Sequence, residues 1–197
     1  MNTRTATLER TTRETQIRIA LGLDGTGTTS ISTGIGFLDH MLSALALHAR
    51  FDLELSCTGD LHIDDHHTAE DCAIALGTAF AEAIGDKRGI TRFASAYAPL
   101  DESLARIVLD VSGRPFAHVD LGLKRDMLGQ IACENIAHFF RSFATSAKVT
   151  LHIDVLRSDN DHHAAEAAFK ALALALRQAV AIDPKQSDVP STKGVLE

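Results

Sequence analysis

The chain has 197 residues, of which 45% are hydrophobic and 23% charged, enough apolar material to bury a core as one domain or two small similar halves. A net charge of −7, no Trp and a single Tyr exclude nucleic acid and an anionic membrane as main partners. Three cysteines without CxxC spacing, an N-terminal segment without an apolar stretch, and no run near the ~20 residues of a membrane span read as a soluble, cytoplasmic protein without disulfides.

Residues 6–23 alternate polar and apolar side chains, which predicts a β-hairpin closed by Asp24-Gly25-Thr26-Gly27, and residues 28–32 continue as a short strand. From Phe37 to His48 the apolar spacing becomes helical, with His40 near the start. Residues 51–55 and 61–63 alternate again and predict a strand pair. A helix then runs from about His66 to Ile84 and ends at Gly85.

The second half repeats this plan. Residues 104–111 and 117–121 read as strands around the turn Ser112-Gly113-Arg114-Pro115, residues 133–146 as a helix carrying His138, and residues 149–154 as a strand. A last helix spans roughly residues 162–181. Leu61-His62-Ile63-Asp64 and Leu151-His152-Ile153-Asp154 precede the two final helices in the same order. The repeat predicts a duplicated α+β fold with halves at 1–90 and 91–184 and a tail at 185–197.

Both final helices open on the same motif, Asp65-His66-His67-Thr68-Ala69-Glu70 and Asp161-His162-His163-Ala164-Ala165-Glu166. Side chains at i, i+3 and i+4 share a helix face, so each HHxxE gathers metal-ligand groups. Adjacent histidines lie roughly 100° apart around the axis and serve two ions more naturally than one. With the upstream histidines, the ligand set is His40, His66, His67, Glu70, His138, His162, His163 and Glu166. Imidazole with carboxylate suits Mn, Fe, Co, Ni or Zn. His48, His62, His118 and His152 read as packing or hydrogen-bonding groups, and Asp64, Asp65 and Asp161 as helix caps or supports for ligand histidines. Lys170 lies one turn past Glu166 on the same face, where its charge would suit a substrate phosphate.

Gly34-Ile35-Gly36-Phe37-Leu38-Asp39-His40-Met41-Leu42, the two HHxxE segments, Leu100-Asp101-Glu102, Ser112-Gly113-Arg114-Pro115 and Pro190-Ser191-Thr192-Lys193-Gly194 together resemble the imidazoleglycerol-phosphate dehydratase family, over nearly the whole chain and in order. The resemblance implies a monofunctional hydro-lyase of histidine biosynthesis that converts D-erythro-imidazole glycerol phosphate to imidazole acetol phosphate. It implies half-domains with a small sheet and helices on one face (ribosomal protein S5 domain 2-like), two Mn²⁺ per active site, and a shell-like homo-oligomer of 24 subunits with sites completed across subunit boundaries. It also assigns Arg92, Arg114, Lys170, Ser191 and Lys193 to the phosphate, makes 185–197 a tail that closes over it, and places Glu14, Glu166 and His67 in the catalytic set. Three places depart from the family pattern: Ala44 stands where a polar residue is common, Ala49-Arg50 where a glycine-containing pair is usual, and Ser158 where glycine is frequent.

That reading has a chemical logic. The proton to be removed is not acidic in water, and two ions gripping the ring nitrogens would stabilise an imidazolate that expels the C3 hydroxyl. Glu14 is the carboxylate to move protons, because Glu70 and Glu166 are occupied as ligands. Two rivals fit the metal motifs alone: a dinuclear phosphoester hydrolase, and a non-catalytic metal-storage shell. Ferritin-like shells order their ligands Glu-x-x-His on long bundle helices, the reverse of the order here.

Overall fold

A computed structural model describes residues 4–196. The first half runs β1 (Thr5–Thr11), β2 (Thr15–Gly22), β3 (Thr29–Ser32), α1 (Gly36–Ala49), β4 (Asp52–Gly59) and α2 (His66–Ile84). The second runs β5 (Phe93–Leu100), β6 (Ser103–Asp110), β7 (Phe116–Asp120), a small hairpin of β8 (Met127–Leu128) and β9 (Ile131–Ala132), α3 (Cys133–Ala147), β10 (Thr150–Arg157) and α4 (Asp161–Ala179). The sheets are ordered β1-β2-β4-β3 and β5-β6-β10-β7, the same topology twice. In each, only the last pair is parallel, and a helix makes the crossover that a parallel pair requires.

Alternation decides which face of each sheet is covered. Ile17, Ile19 and Leu21 of β2, and Ala105, Ile107 and Leu109 of β6, point to one side and are buried. Helix α2 lies on β1 and β2, and α4 on β5 and β6. Each also packs on a helix of the other half, α2 on α3 and α4 on α1, so one core runs through both halves. Alanines make α4 thin enough for this: Ala164, Ala165, Ala167, Ala168, Ala171, Ala173, Ala175 and Ala179 are all buried. Phe140 and Phe169 meet at 4.5 Å between ring centres and tie α3 to α4. Cys57, Cys72 and Cys133 are buried free thiols. Among the described residues, no helix is long and apolar enough to cross a membrane.

The α+β expectation holds, and the helix expected at His66–Ile84 has those bounds. Three local expectations fail. Residues 61–63 form an exposed turn in which the Ile63 N–H donates to the Asp60 carbonyl at 2.8 Å, because the chain must climb from β4 to the start of α2. The Leu-His-Ile-Asp repeat is therefore a coincidence of sequence: β10 matches β4, not residues 61–64. Strand β5 was not foreseen, since Phe93-Ala94-Ser95-Ala96-Tyr97-Ala98-Pro99-Leu100 is alanine-rich and contains a proline that only an edge strand tolerates.

Arg50 closes α1 in the left-handed region (φ 60°, ψ 33°), which accounts for the glycine usual near that point. Gly77 lies where α2 approaches the backbone of α3 closely. A Cβ there would lie 2.7 Å from the Phe143 carbonyl oxygen and 2.8 Å from the Ala147 nitrogen, both backbone atoms. Gly77→Ala gains up to ~1 kcal/mol of helix propensity, but prying two helices apart costs about 1–3 kcal/mol. The variant should therefore show a lower denaturant midpoint than the parent chain, and an unchanged or higher midpoint would contradict this packing.

Candidate functional site

The helix crossings bring the sequence-predicted ligands together, but across the halves. His40 on α1 meets His162 and Glu166 on α4, with both Nε2 atoms near Glu166 Oε2, at 3.2 and 3.3 Å. His138 on α3 meets His66 and Glu70 on α2, with His138 Nε2 3.0 Å from Glu70 Oε1 and His66 Nε2 3.7 Å from Glu70 Oε2. In each cluster the three ligand atoms lie within 4.8 Å of one another. Two imidazoles and a carboxylate converging from partly exposed positions fit a first-row divalent ion. The sequence repeat groups His40 with His66 and His138 with His162; the fold exchanges them.

The His66 ring is aimed by its other nitrogen. His66 Nδ1 is 2.9 Å from Asn135 Oδ1, and Asn135 in turn donates to Asp65, which also accepts the Ala132 N–H. Asp65 thus supports a candidate ligand histidine instead of capping its helix; Asp64 accepts the His66 N–H, and Asn160 caps α4. Burial pushes the Glu166 carboxyl up, but hydrogen bonds from Lys170 and His40 outweigh it and hold the group below its usual range. Lys170 Nζ lies 2.7 Å from Glu166 Oε1, so this cation sits directly beside the α1–α4 cluster.

His67 and His163 belong to neither cluster. His67 Nδ1 lies 3.0 and 3.2 Å from the Asp60 carboxylate, and its Nε2 is 3.7 Å from Glu14 Oε1. His163 Nδ1 lies 2.9 Å from Glu102 Oε2. A carboxylate at Nδ1 is the arrangement in which metal-ligating histidines are held; at His67 the neighbour of the other nitrogen is Glu14. Hydrogen bonding to Asp60 raises the His67 imidazole above its ordinary range, and Glu102 does the same for His163. The bond to His163 draws the Glu102 carboxyl down to about 2.

The other candidate phosphate groups lie elsewhere. Arg92 grips Asp110 through two bonds of 2.7 and 3.1 Å and donates to the Pro190 carbonyl at 2.7 Å. Ser191 and Lys193 follow in a turn closed by the Gly194 N–H donating to the Ser191 carbonyl. Arg114 is exposed at the same end of the second sheet, where Phe93, Asp110, Thr150 and Phe116 pair in one row. The Arg92 N–H donates to the Ala179 carbonyl at the last turn of α4, while His162 and Glu166 occupy its first turns. Glu166 and Ala179 are about 20 Å apart along the helix.

Residue spacing missed Asp60 as a support, since it lies just past the end of β4 and not on the helix of the ring it holds, and Glu102 was seen only as part of a family segment. His48, read as a packing or hydrogen-bonding group, shares a face of α1 with His40 and Ala44. Burial first, then the charges of Lys170 and Arg177, hold the His48 imidazole below its ordinary range. Ala44 itself is buried. His118 and His152 lie on the second sheet, 5.9 Å apart, and touch neither cluster.

The imidazoleglycerol-phosphate dehydratase family profile matches residues 33–176. The dehydratase of Phytophthora nicotianae is 59% identical over 98% of this chain, which spans 42% of that longer protein. The Candida glabrata enzyme is 54% identical, with 97% of this chain and 99% of that protein covered. The crystal structure of the Pyrococcus furiosus dehydratase superposes with a TM-score of 0.83 at 38% identity, covering 96% of this chain and 100% of that one. These matches define a carbon–oxygen lyase of histidine biosynthesis. The chain belongs to the imidazoleglycerol-phosphate dehydratase family, EC 4.2.1.19.

The Glu102–His163 pair makes a prediction for the metal-stripped chain. Glu102 has a lowered value, so its contribution is present above the ordinary 4.5 and is lost as pH falls through about 2. His163 has a raised value, so its contribution is full below the ordinary 6.5 and is lost as pH rises through the folded value. The difference in denaturant midpoint between parent and His163→Ala should therefore be greatest at about pH 5 and shrink toward both extremes. A difference that grows above neutrality would contradict the pairing.

Proposed function

We propose that the chain dehydrates D-erythro-imidazole glycerol phosphate, through the imidazolate form of the substrate ring, at sites holding two Mn²⁺ ions and built from more than one copy of the chain. The observation that carries the shared site is the separation just described. Lys170 is beside a ligand cluster, whereas Arg92, Arg114, Ser191 and Lys193 are about 20 Å down α4 from Glu166. One small phosphorylated imidazole cannot span that distance. The groups work together only when a neighbouring copy brings its sheet end and tail to the clusters, and the assembly implied is a closed homo-oligomer, read as 24 subunits.

His67 and His163 complete the ligand sets in the same way. Neither ring joins these two clusters within its own chain, so His40, His162 and Glu166, and His66, Glu70 and His138, would each take a fourth ligand from a neighbour. When bound, the ions supply Lewis acidity to the ring nitrogens, which stabilises negative charge on the ring as a proton leaves the adjacent carbon. Glu14 takes that proton and returns one to the departing C3 hydroxyl, which leaves as water, and the enol tautomerises to the ketone. Lys170 with the neighbour's Arg92, Arg114, Ser191 and Lys193 holds the phosphate, and that remote binding orients the diol. The tail 185–197 closes over the phosphate, and the two halves act as one catalytic unit.

Two measurements test this. After chelation, restored Mn²⁺ should return release of imidazole acetol phosphate from imidazole glycerol phosphate; turnover in the chelated control would remove the metal from the mechanism. For sharing, His162→Ala and Lys193→Ala should each be inactive alone. Dissociated, mixed in equal amounts and reassembled, they should regain roughly a quarter of parental activity, because random mixing rebuilds that share of two-chain sites. No recovery from a mixture that reassembles fully would place all the groups in one chain's site.

A further inference from the structure

The duplicated fold puts a glutamate in the same place twice. Glu14 immediately precedes β2 and Glu102 immediately precedes β6, in the matching turns β1–β2 and β5–β6. Yet the two do different things. Glu102 accepts from His163 Nδ1 at 2.9 Å, whereas Glu14 approaches the opposite nitrogen of His67, 3.7 Å from Nε2, and its side chain is 52% exposed.

The difference lies at the end of the neighbouring strand. β4 ends at Gly59 opposite Thr15, and the next residue is Asp60. β10 ends at Arg157 opposite Leu104, and the next residue is Ser158, whose hydroxyl lies 2.6 Å from that of Ser103. Because Glu14 and Thr15 match Glu102 and Ser103, Ser158 holds the place of Gly59 and Asp159 that of Asp60. In the first half Asp60 occupies His67 Nδ1; in the second Asp159 is exposed and Glu102 bonds His163 Nδ1. A Cβ at Gly59 would overlap the Thr68 hydroxyl, so that glycine lets the strand end run close enough to α2 for Asp60 to reach the ring. Asp60 also fixes the backbone of the turn, since its N–H donates to the Glu14 carbonyl at 3.1 Å.

We infer that Asp60 is a positioning residue that keeps Glu14 free for proton transfer by holding His67 in its stead. This rests on the reading of Glu14 as the proton carrier. Without Asp60, Glu14 swings to His67 Nδ1 and becomes a structural carboxylate, as Glu102 already is. The Glu102–His163 pair shows that a carboxylate from this turn can hold the ring, so Asp60→Ser leaves Glu14 the place that Glu102 already fills in the second half.

The test compares Asp60→Ser, Glu14→Ala and the double variant, each loaded with Mn²⁺. Asp60→Ser should lower kcat at least about a hundredfold, as loss of a general base does, with KM within about threefold. Its Mn²⁺ affinity, measured by chelator competition, should also stay within about threefold, because Glu14 now supports the ring. The double variant leaves His67 without a carboxylate, so its Mn²⁺ affinity should fall about 10–100-fold, with kcat no lower than in Glu14→Ala. Asp60→Asn keeps an oxygen that accepts the Nδ1 proton and should recover kcat to within about tenfold of the parent. Parental kcat in Asp60→Ser, or a loss of Mn²⁺ affinity there equal to that of the double variant, would overturn the inference alone. Parental kcat in Glu14→Ala would overturn the assignment of Glu14, and the role of Asp60 with it.

Discussion

Two helix crossings, α2 on α3 and α1 on α4, depend on small residues: Gly77 where α2 meets backbone atoms of α3, and the alanine faces of α4. Close approach there is a matter of excluded volume, and it has a chemical result. Histidine from one half arrives within hydrogen-bond range of glutamate from the other only because the helices are in contact at the right height. Neither half could assemble a three-donor cluster from its own helices in this arrangement. The duplication is therefore not two independent sites placed side by side; each half finishes the other.

Much of this was legible in the chain. The switch from period-two alternation to helical spacing located every helix, and the HHxxE pairs at i and i+4 identified His66 with Glu70 and His162 with Glu166. A local rule cannot say which upstream histidine joins which pair, and the repeat suggested the opposite grouping to the one the fold adopts. Asp60 and Glu102 were harder still, because each reaches its histidine through strand register and turn placement, not through helical spacing. The Leu-His-Ile-Asp doublet shows the converse: residues identical in sequence stand in a turn in one half and in a strand in the other.

Within this symmetric frame the chemistry is lopsided. The second sheet's end carries Arg92, Arg114 and the tail, while the first half contributes Glu14 with its exposed carboxylate. Pseudo-equivalent positions have diverged: Asp60 faces a ring where Asp159 is exposed, and Glu14 is more open where Glu102 is engaged. A duplicated scaffold supplies two matched three-donor clusters, and a few differences at strand ends set the exposed Glu14 apart from the engaged Glu102.

The exchange of histidines between halves has a mechanical meaning as well. An ion held by His40, His162 and Glu166 would tie together points about 120 residues apart in the chain, and one held by His66, Glu70 and His138 would tie points roughly 70 apart, as long-range cross-links do. Such ties restrict the unfolded chain far more than a clip between neighbouring residues. The ions would then act as rivets through the seam between halves, and occupancy, seam rigidity and resistance to unfolding would rise and fall together.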